Sequence, residues 1–215
     1  MFAVHQASLF DVPLLDDATD GLAIGALDGS VQRTVLEHGA WVDHRPGWFT
    51  GSDQLFTELL DSVPWRSERR AMYDRVVDVP RLQCFFRDGE ELPSPHLVTA
   101  RRDLDRYYFD ELREPFTTAG LCYYRDGADS VAWHGDNIGR SRTQDTMVAI
   151  LSLGDARPLL LRPRGGGASL RFSVGHGDLL VMGGSCQRTW EHAVPKSSRP
   201  VGPRISVQFR PHDVR

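Results

Sequence analysis

The chain has 215 residues, of which 40% are hydrophobic and 25% are charged, which is enough apolar material for a sizeable core in one domain. Its formal net charge of -4 argues against a strongly basic coat for nucleic acid. The sequence has no apolar run of about 18 residues and no basic N-terminus, so we expect neither a membrane span nor a secretory signal. A cytoplasmic location follows by default. The scattered cysteines Cys84, Cys122 and Cys186 agree with a reducing compartment.

The first 40 residues carry little pattern, so we interpret residues 1–40 as an N-terminal extension and residues 41–215 as the main domain. Two helices are predicted near the start of that domain. The first follows a cap at Ser52, and the second covers residues 99–113. The apolar stripe of the first helix is made by Leu55, Phe56, Leu59 and Leu60, and that of the second by Leu104, Tyr108 and Leu112. We expect both helices to cover one face of a sheet.

Short apolar runs follow one another at intervals of about ten residues in the second half of the chain. The predicted strands cover residues 121–125, 130–136, 146–153, 158–162, 169–174, 179–182, 189–194 and 204–210. Glycine and proline residues separate several of these runs. The spacing predicts a jelly roll, and hence a mainly β fold of the α+β class with the N-terminal helices packed on its sheet.

A His-Gly-Asp sequence, His134-Gly135-Asp136, ends a run with strand character. Side chains two residues apart on a strand point to the same side, as two ligands of one metal require. With the distant His192 they provide two imidazoles and one carboxylate, a set that binds Fe(II) and leaves positions open for a chelating cosubstrate and O2. The sequence therefore predicts an iron site at His134, Asp136 and His192.

A second His-Gly-Asp sequence, His176-Gly177-Asp178, lies in different surroundings. Glycines precede and follow its histidine and separate two apolar runs, which is typical of a tight turn. We therefore expect this copy to be structural. Either tripeptide alone would be weak evidence, because a histidine near an aspartate is more often a hydrogen-bonded pair than a metal site.

The last predicted strand has one polar and one apolar face, because side chains alternate along a strand. The polar face carries Arg204, Ser206, Gln208 and Arg210. If the apolar face packs on a core, the arginines face a cavity, where a guanidinium is costly unless an anion pairs with it. A dicarboxylate such as 2-oxoglutarate would bind both the metal and an arginine. The alternative is an exposed edge strand with solvated arginines.

Arginines also cluster elsewhere in the sequence, for example at Arg162 and Arg164 and at Arg140 and Arg142. The plain interpretation of each cluster is ordinary solvated surface. The alternative is contact with phosphate, which requires several arginines on one face.

The C-terminal half resembles the AlkB family of Fe(II)- and 2-oxoglutarate-dependent dioxygenases. The segments that carry the resemblance, in the family's order and spacing, are Tyr124-Arg-Asp-Gly127, Trp133-His-Gly-Asp136, Val148 to Gly154, Gly177 to Gly183, Trp190-Glu-His192 and Arg204 to Arg210. Upstream, Arg45-Pro-Gly47, Val63-Pro-Trp65 and Pro80-Arg-Leu82 resemble the nucleotide-recognition region of the bacterial and animal repair demethylases. The likeness covers residues from about 42 to 211.

The resemblance implies a double-stranded β-helix and a set of roles for matching positions. It makes His134, Asp136 and His192 the catalytic metal ligands, and Arg204, Arg210, Tyr124 and Ser206 the cosubstrate-binding residues. The implied reaction uses Fe(II), 2-oxoglutarate and O2 for oxidative dealkylation of N-alkylated bases, with DNA favoured over RNA. The target base must leave the stack to reach the iron. We expect a monomer without membrane contact.

Several positions depart from the family pattern around the expected substrate. Cys122 and Ser206 stand where many members have asparagine, and Ile138 stands where repair enzymes commonly have an acidic residue. Pro93-Ser-Pro95 occupies the place of a tyrosine-rich stretch that lines the pocket in relatives. The aromatic residues considered for stacking are Phe85, Phe86, Trp133 and Trp190, although a core role is the stronger interpretation for each.

These departures leave two alternatives to nucleic-acid dealkylation. The first is an AlkB-like oxygenase that acts on a protein or a small molecule, as Ile138 and the acidic net charge suggest. The second is a catalytically silent nucleic-acid-binding protein that keeps the roll, against which the complete metal triad argues.

Overall fold

The computed structural model describes residues 21–72, 75–136 and 138–214. Residues 1–20 of the predicted extension lie outside this range. The strands are β1 (Ala23–Ile24), β2 (Gln32–Val35), β3 (Ala40–Arg45), β4 (Phe49–Thr50), β5 (Arg66–Met72), β6 (Arg75–Phe86), β7 (Thr118–Tyr124), β8 (Val131–His134), β9 (Val148–Gly154), β10 (Arg157–Pro163), β11 (Leu170–Val174), β12 (Asp178–Gly184), β13 (Trp190–Val194) and β14 (Arg204–Arg210). The helices are α1 (Asp53–Ser62), α2 (Pro95–Leu112) and α3 (Cys186–Thr189), with short 3-10 turns at Glu37–Gly39 and Arg140–Arg142.

Two facing antiparallel sheets form the jelly roll that the strand spacing predicts. The major sheet has the order β2-β3-β12-β9-β14-β7-β6-β5, and the minor sheet has the order β11-β10-β13-β8. The eight strands predicted in the second half are all present as β7 to β14, with small differences at their ends. The strands β1 to β6 were not predicted. β2 pairs with β3 and β1 with β4, so part of the predicted extension is joined to the main domain through strand pairing.

Alternation along the strands of the major sheet separates two cores. Leu121, Leu151 and Val207 point to one face, where they pack with the buried residues of α1 and α2. Their neighbours Tyr124 and Ile150 point to the other face and pack against the minor sheet. The N-terminal helices therefore cover one face of the sheet, as predicted, and the opposite face is left to form the interior of the roll.

The helix boundaries follow local chemistry. Ser52 occupies the N-cap position of α1, but its side chain makes no capping hydrogen bond. The helix α2 begins four residues before the predicted start, because the Ser94 hydroxyl accepts a hydrogen bond from the His96 amide and Pro95 suits the first helical position. The Pro93-Ser-Pro95 segment is thus a helix start and is not part of the cavity lining described below. None of the helices in the described part of the chain is both long and apolar enough to cross a bilayer.

The second His-Gly-Asp sequence forms a turn before β12, which confirms its structural interpretation. Gly177 has a φ of +77°, and a Cβ atom there would lie 2.1 Å from the Phe49 carbonyl oxygen. The Asp178 carboxylate accepts hydrogen bonds from the amides of Gly47 and Gly175 at 2.8 and 2.7 Å. The ring of His44 lies 3.4 Å from the same carboxylate. The contacts of this aspartate hold the turn that precedes β12.

Replacing Asp178 with alanine should lower the free energy of unfolding by about 2 kcal/mol, because the two amides lose a charged acceptor. Denaturation in urea measures this change. Asp53→Ala is the matched control: its carboxylate lies 3.4 Å from the His176 ring, but it is almost fully exposed and should change stability little. Equal stability of the two variants would contradict the structural role of Asp178.

Candidate metal centre and adjoining cavity

Two histidines meet where the edge strand β8 pairs with β13. His134 and His192 are direct partners in this register, and their ring centroids lie 4.2 Å apart. Asp136 follows β8 and reaches the same point. Ligand atoms of the three side chains all lie within 4.8 Å of one another. The structure therefore brings together the three residues that the sequence predicts as iron ligands.

The orientation of each ligand is fixed by a neighbour. The Nδ1 atom of His134 lies 2.8 Å from the Ala132 carbonyl oxygen, so Nδ1 carries the proton and Nε2 is left for a metal. Arg210 donates to Oδ2 of Asp136 through Nε at 2.8 Å and pairs with the same oxygen through Nη2 at 2.7 Å. The other carboxylate oxygen, Oδ1, lies 3.5 Å from His134 Nε2 and 4.0 Å from His192 Nε2. Three donor atoms thus face a common point.

The ionisation states of the buried ligands suit a divalent cation. Burial and the nearby His134 together lower the pKa of His192 to about 3 despite the opposing effect of Asp136, so its imidazole is neutral near pH 7. Burial by itself would raise the pKa of Asp136, but Arg210 and the two histidines outweigh this effect and hold the pKa below its ordinary value. A neutral imidazole and a carboxylate are the forms that bind a metal.

A glutamine and a glycine support the metal-binding segment from behind. The amide of Asp136 donates to Oε1 of Gln187 at 2.9 Å, and Gln187 is buried. A Cβ atom on Gly135 would lie 2.7 Å from the Gln187 carbonyl oxygen and 2.9 Å from Nη2 of Arg164, so this close approach requires glycine. The sequence pattern does not reveal the role of Gln187, because a single glutamine carries no spacing signal.

The outer face of the minor sheet carries a second support, centred on Arg162. Its guanidinium lies 4.2 Å from the centroid of the Trp133 ring and donates to Glu191 at 3.0 and 3.2 Å. Trp133 directly precedes His134, and Glu191 directly precedes His192. Arg162 therefore links the two metal-binding strands and is not simply a solvated surface residue, since its guanidinium contacts both Trp133 and Glu191. Arg164 is also engaged, since it donates to the Arg188 carbonyl at 2.9 Å.

The polar face of β14 points into the interior of the roll, as the alternation predicts. Arg204 is 3% exposed, and its Nε donates to the Ser152 hydroxyl at 2.8 Å. Its Nη1 is buried without a hydrogen-bond partner among the described residues. Burial lowers the pKa of Arg204 and raises that of the neighbouring Tyr124 to about 12, so the phenol stays protonated. A buried guanidinium with a spare N–H is a ready site for a carboxylate.

One cavity of about 1330 Å³ connects the metal-binding residues to these arginines. Its lining includes all the predicted site residues, namely His134, Asp136, His192, Arg204, Arg210, Tyr124 and Ser206. It also includes Phe85 and Ile138, which are 43% and 68% exposed and mark its mouth, and the partly buried Phe86. Trp133 and Trp190 lie outside the lining, and Trp190 packs in the core between the sheets.

Cys122 on β7 and Ser206 on β14, which depart from the family pattern, belong to one polar network. The Nε2 atom of Gln208 donates to the Ser206 hydroxyl at 2.8 Å, and the thiol of Cys122 lies 3.8 Å from Oε1 of Gln208. Arg210 donates to the same Oε1 atom at 3.3 Å. Gln208 therefore connects the positions of the two missing asparagines to the arginine beside the metal site.

A jelly roll with two histidines, an aspartate and buried arginines at one cavity defines the class of cofactor-dependent jelly-roll oxygenases. Residues 46–210 match the family model described as the 2OG-Fe(II) oxygenase superfamily. The match covers more than half of the chain, so the protein belongs to this superfamily. Fe(II), 2-oxoglutarate and O2 are the reactants that the family implies.

The relatives place the chain among AlkB-like members. Alpha-ketoglutarate-dependent dioxygenase alkB homolog 3 of Homo sapiens is 28% identical over 178 residues, covering 74% of this chain and 61% of that protein. DNA oxidative demethylase ALKBH2 of Homo sapiens is 26% identical over 179 residues, covering 74% of this chain and 68% of that protein. The chain thus spans about three fifths of the length of alkB homolog 3.

A solved structure supports the fold. The chain described as "The structure of OsALKBH1" superposes with a TM-score of 0.57 at 15% identity, covering 84% of this chain and 100% of that one. This similarity confirms the jelly-roll class that the sequence predicts.

The residues present fit Fe(II) and 2-oxoglutarate. Two imidazole nitrogens and one carboxylate oxygen form the donor set that suits Fe(II) in oxygenases, and Arg204 has a buried N–H without an acceptor in the described part of the chain. A ligand that bridges the metal to Arg204 would satisfy this N–H group.

Asp136→Ala should abolish turnover and sharply weaken Fe(II) binding, because the site loses its only anionic ligand and Arg210 loses its partner. Titration of the metal-free protein with Fe(II) under anaerobic conditions measures the affinity. Asp178→Ala is the control, since it changes the other His-Gly-Asp sequence. Retained iron binding in the Asp136 variant would sink the assignment.

Arg162→Met should weaken metal binding by roughly tenfold, because removing outer support of metal ligands commonly has an effect of this size. The same metal titration tests this expectation. Arg171→Met, an exposed arginine on the neighbouring strand β11, is the control and should leave the affinity unchanged. If Arg162→Met lowers oligonucleotide affinity while metal affinity stays intact, the arginine contacts phosphate instead.

Proposed function

We propose that this protein is an Fe(II)- and 2-oxoglutarate-dependent dioxygenase that removes alkyl groups from the ring nitrogens of bases in nucleic acid. The observation that carries the proposal is the single cavity that joins the His134, Asp136 and His192 group to the unpaired N–H of Arg204. The AlkB-like relatives, one of them a DNA oxidative demethylase, suggest the reaction class.

The roles of the side chains follow from their contacts. His134, Asp136 and His192 would hold Fe(II), which with 2-oxoglutarate and O2 supplies the oxidising equivalent. Arg210 keeps Oδ2 of Asp136 occupied, so the carboxylate offers one oxygen to the metal. The distal carboxylate of the cosubstrate would accept hydrogen bonds from Arg204. The protonated Tyr124 borders the same subsite, and its ring centroid lies 5.4 Å from the Arg204 guanidinium carbon.

The remaining space suits a substrate larger than the cosubstrate. A cavity of about 1330 Å³ exceeds the size of common small-molecule sites, which is roughly 300 to 1,000 Å³. The exposed ring of Phe85 at the mouth offers a face for a base that has left its stack. Arg66 and Arg87 line the same mouth, where phosphate groups of a bound strand would pass.

The finer details rest on the sequence resemblance. DNA is favoured over RNA, and 1-methyladenine and 3-methylcytosine are the first lesions to test; their dealkylation would release formaldehyde. The division at residue 40, the monomeric state and the cytoplasmic location stay predictions.

Oxidation of a protein or small molecule is the second candidate function, and Ile138 favours it. This residue is 68% exposed at the mouth and offers no charge to a base. The alternative that is not an enzyme is a catalytically silent protein that binds nucleic acid.

A lesion screen separates these functions. Oligonucleotides with different alkylated bases are incubated with protein, Fe(II), ascorbate and 2-oxoglutarate, and base products are detected by mass. His134→Ala is the control. Succinate formation that depends on His134 without any repaired base would favour a different substrate, and succinate formation that is absent in both proteins would favour a silent binder.

Arg204→Ala should raise the concentration of 2-oxoglutarate needed for half-maximal turnover by about tenfold or more, because a charge-assisted hydrogen bond to the cosubstrate is lost. Oligonucleotide affinity should change much less. Both quantities are measured in one preparation. A variant that loses oligonucleotide affinity and keeps its 2-oxoglutarate requirement would show that the two subsites have been confused.

A further inference from the structure

The cavity contains a buried arginine that neither the metal site nor the predicted cosubstrate residues explain. Arg81 on β6 is 9% exposed and lines the cavity. Its Nη1 donates to the Ser130 carbonyl oxygen at 3.2 Å. Its Nε is buried and has no hydrogen-bond partner among the described residues. The spare N–H of such a buried guanidinium can donate to an anionic ligand.

The strand register places Arg81 and Arg204 on either side of one tyrosine. Tyr124 pairs with Arg204 on β14, and the register of Leu82 with Tyr123 on the other side continues to Arg81 and Tyr124. Side chains of paired residues share a face, so all three point into the roll. Two buried guanidinium groups therefore flank Tyr124 from the strands next to β7.

The charges at this end of the cavity are not balanced. Arg210 pairs with Asp136, but no carboxylate of the described residues lies within ion-pair distance of Arg81 or Arg204. The exposed Glu68 raises the pKa of Arg81 less than the neighbouring Cys122 and Tyr124 do. An anionic ligand beside them would accept the unmet N–H groups of both arginine side chains.

We propose that Arg81 is a second anion-binding residue of this cavity, which accepts an oxyanion oxygen beside the Arg204 subsite. Such an oxygen can come from a carboxylate of 2-oxoglutarate or from a phosphate of the nucleic acid. The position next to Tyr124 and near Cys122 favours the cosubstrate. This inference rests on the proposed function for the identity of its ligands, although the anion site itself depends only on the buried guanidinium.

The test compares Arg81→Met with Arg171→Met. Methionine keeps most of the length of the side chain and removes its charge and donors, and Arg171 is an exposed arginine on β11 that is not part of the cavity lining. Binding of 2-oxoglutarate is titrated with Mn(II)-loaded protein, and binding of a single-stranded oligonucleotide is measured at several salt concentrations. Arg81→Met should raise the Kd for 2-oxoglutarate by about ten- to a hundredfold, as expected for loss of a charge-assisted hydrogen bond.

The two sources of the oxyanion give different results. If Arg81→Met raises only the Kd for 2-oxoglutarate, the oxyanion bound by Arg81 is a carboxylate of the cosubstrate. If the Kd for 2-oxoglutarate is unchanged but the oligonucleotide binds more weakly, and the salt dependence of its binding falls by about one phosphate contact, the oxyanion bound by Arg81 is a phosphate. No change in either affinity relative to the Arg171 variant would overturn the proposal.

Folding and substrate identity are controlled separately. Thermal unfolding shows whether Arg81→Met keeps its structure, since the Ser130 carbonyl loses a donor. Arg81→Lys keeps the charge and should retain most of the affinity that Arg81→Met loses; equal losses in the two variants at normal stability would count against an anion site. If Arg81→Met loses affinity for 2-oxoglutarate but no alkylated oligonucleotide is a substrate, the anion site stands and the proposed function fails.

Discussion

The ion pair between Arg210 and Asp136 is the interaction on which the arrangement of the site depends. It joins β14 of the major sheet to the segment that follows β8 of the minor sheet. Asp136 lies beyond the last residue of β8, so strand pairing does not hold it. Its carboxylate is fixed by Arg210, and its amide by Gln187. The same strand that orients a metal ligand at one end carries Arg204 at the other, and this sets the metal centre and the anion subsite on one rigid element.

The interior of the roll contains buried polar and charged side chains, which lower the stability of the fold. The face of β7 and β14 that packs on the helices is apolar, whereas the face inside the roll carries Arg204, Ser206 and other polar groups. Buried guanidinium groups reduce stability unless a ligand accepts their N–H groups. We infer that an anionic ligand that accepts these N–H groups compensates for this cost.

The sequence predicted the second half of the fold well and the first half less well. The strands β7 to β14 have strong alternation and clear breaks, so their order and the two-sided character of β14 could be read from the pattern. The strand β5 was missed because its sequence, Arg66 to Met72, is highly charged and lies at the edge of the sheet, where tertiary pairing outweighs local preference. The start of α2 was missed because its cap, Ser94, lies between two prolines that resembled a loop.

The amino-acid pattern by itself determined the chemical identities of the site: two histidines, an aspartate and a strand with arginines on one face, in an order that matches a known family. Only the tertiary structure decided which other residues join them. It turned Arg81 inward, placed Gln187 behind Asp136, and used Arg162 as a link between strands instead of a surface cation. These roles depend on contacts between residues far apart in the chain, and a local pattern of spacing contains no information about such contacts.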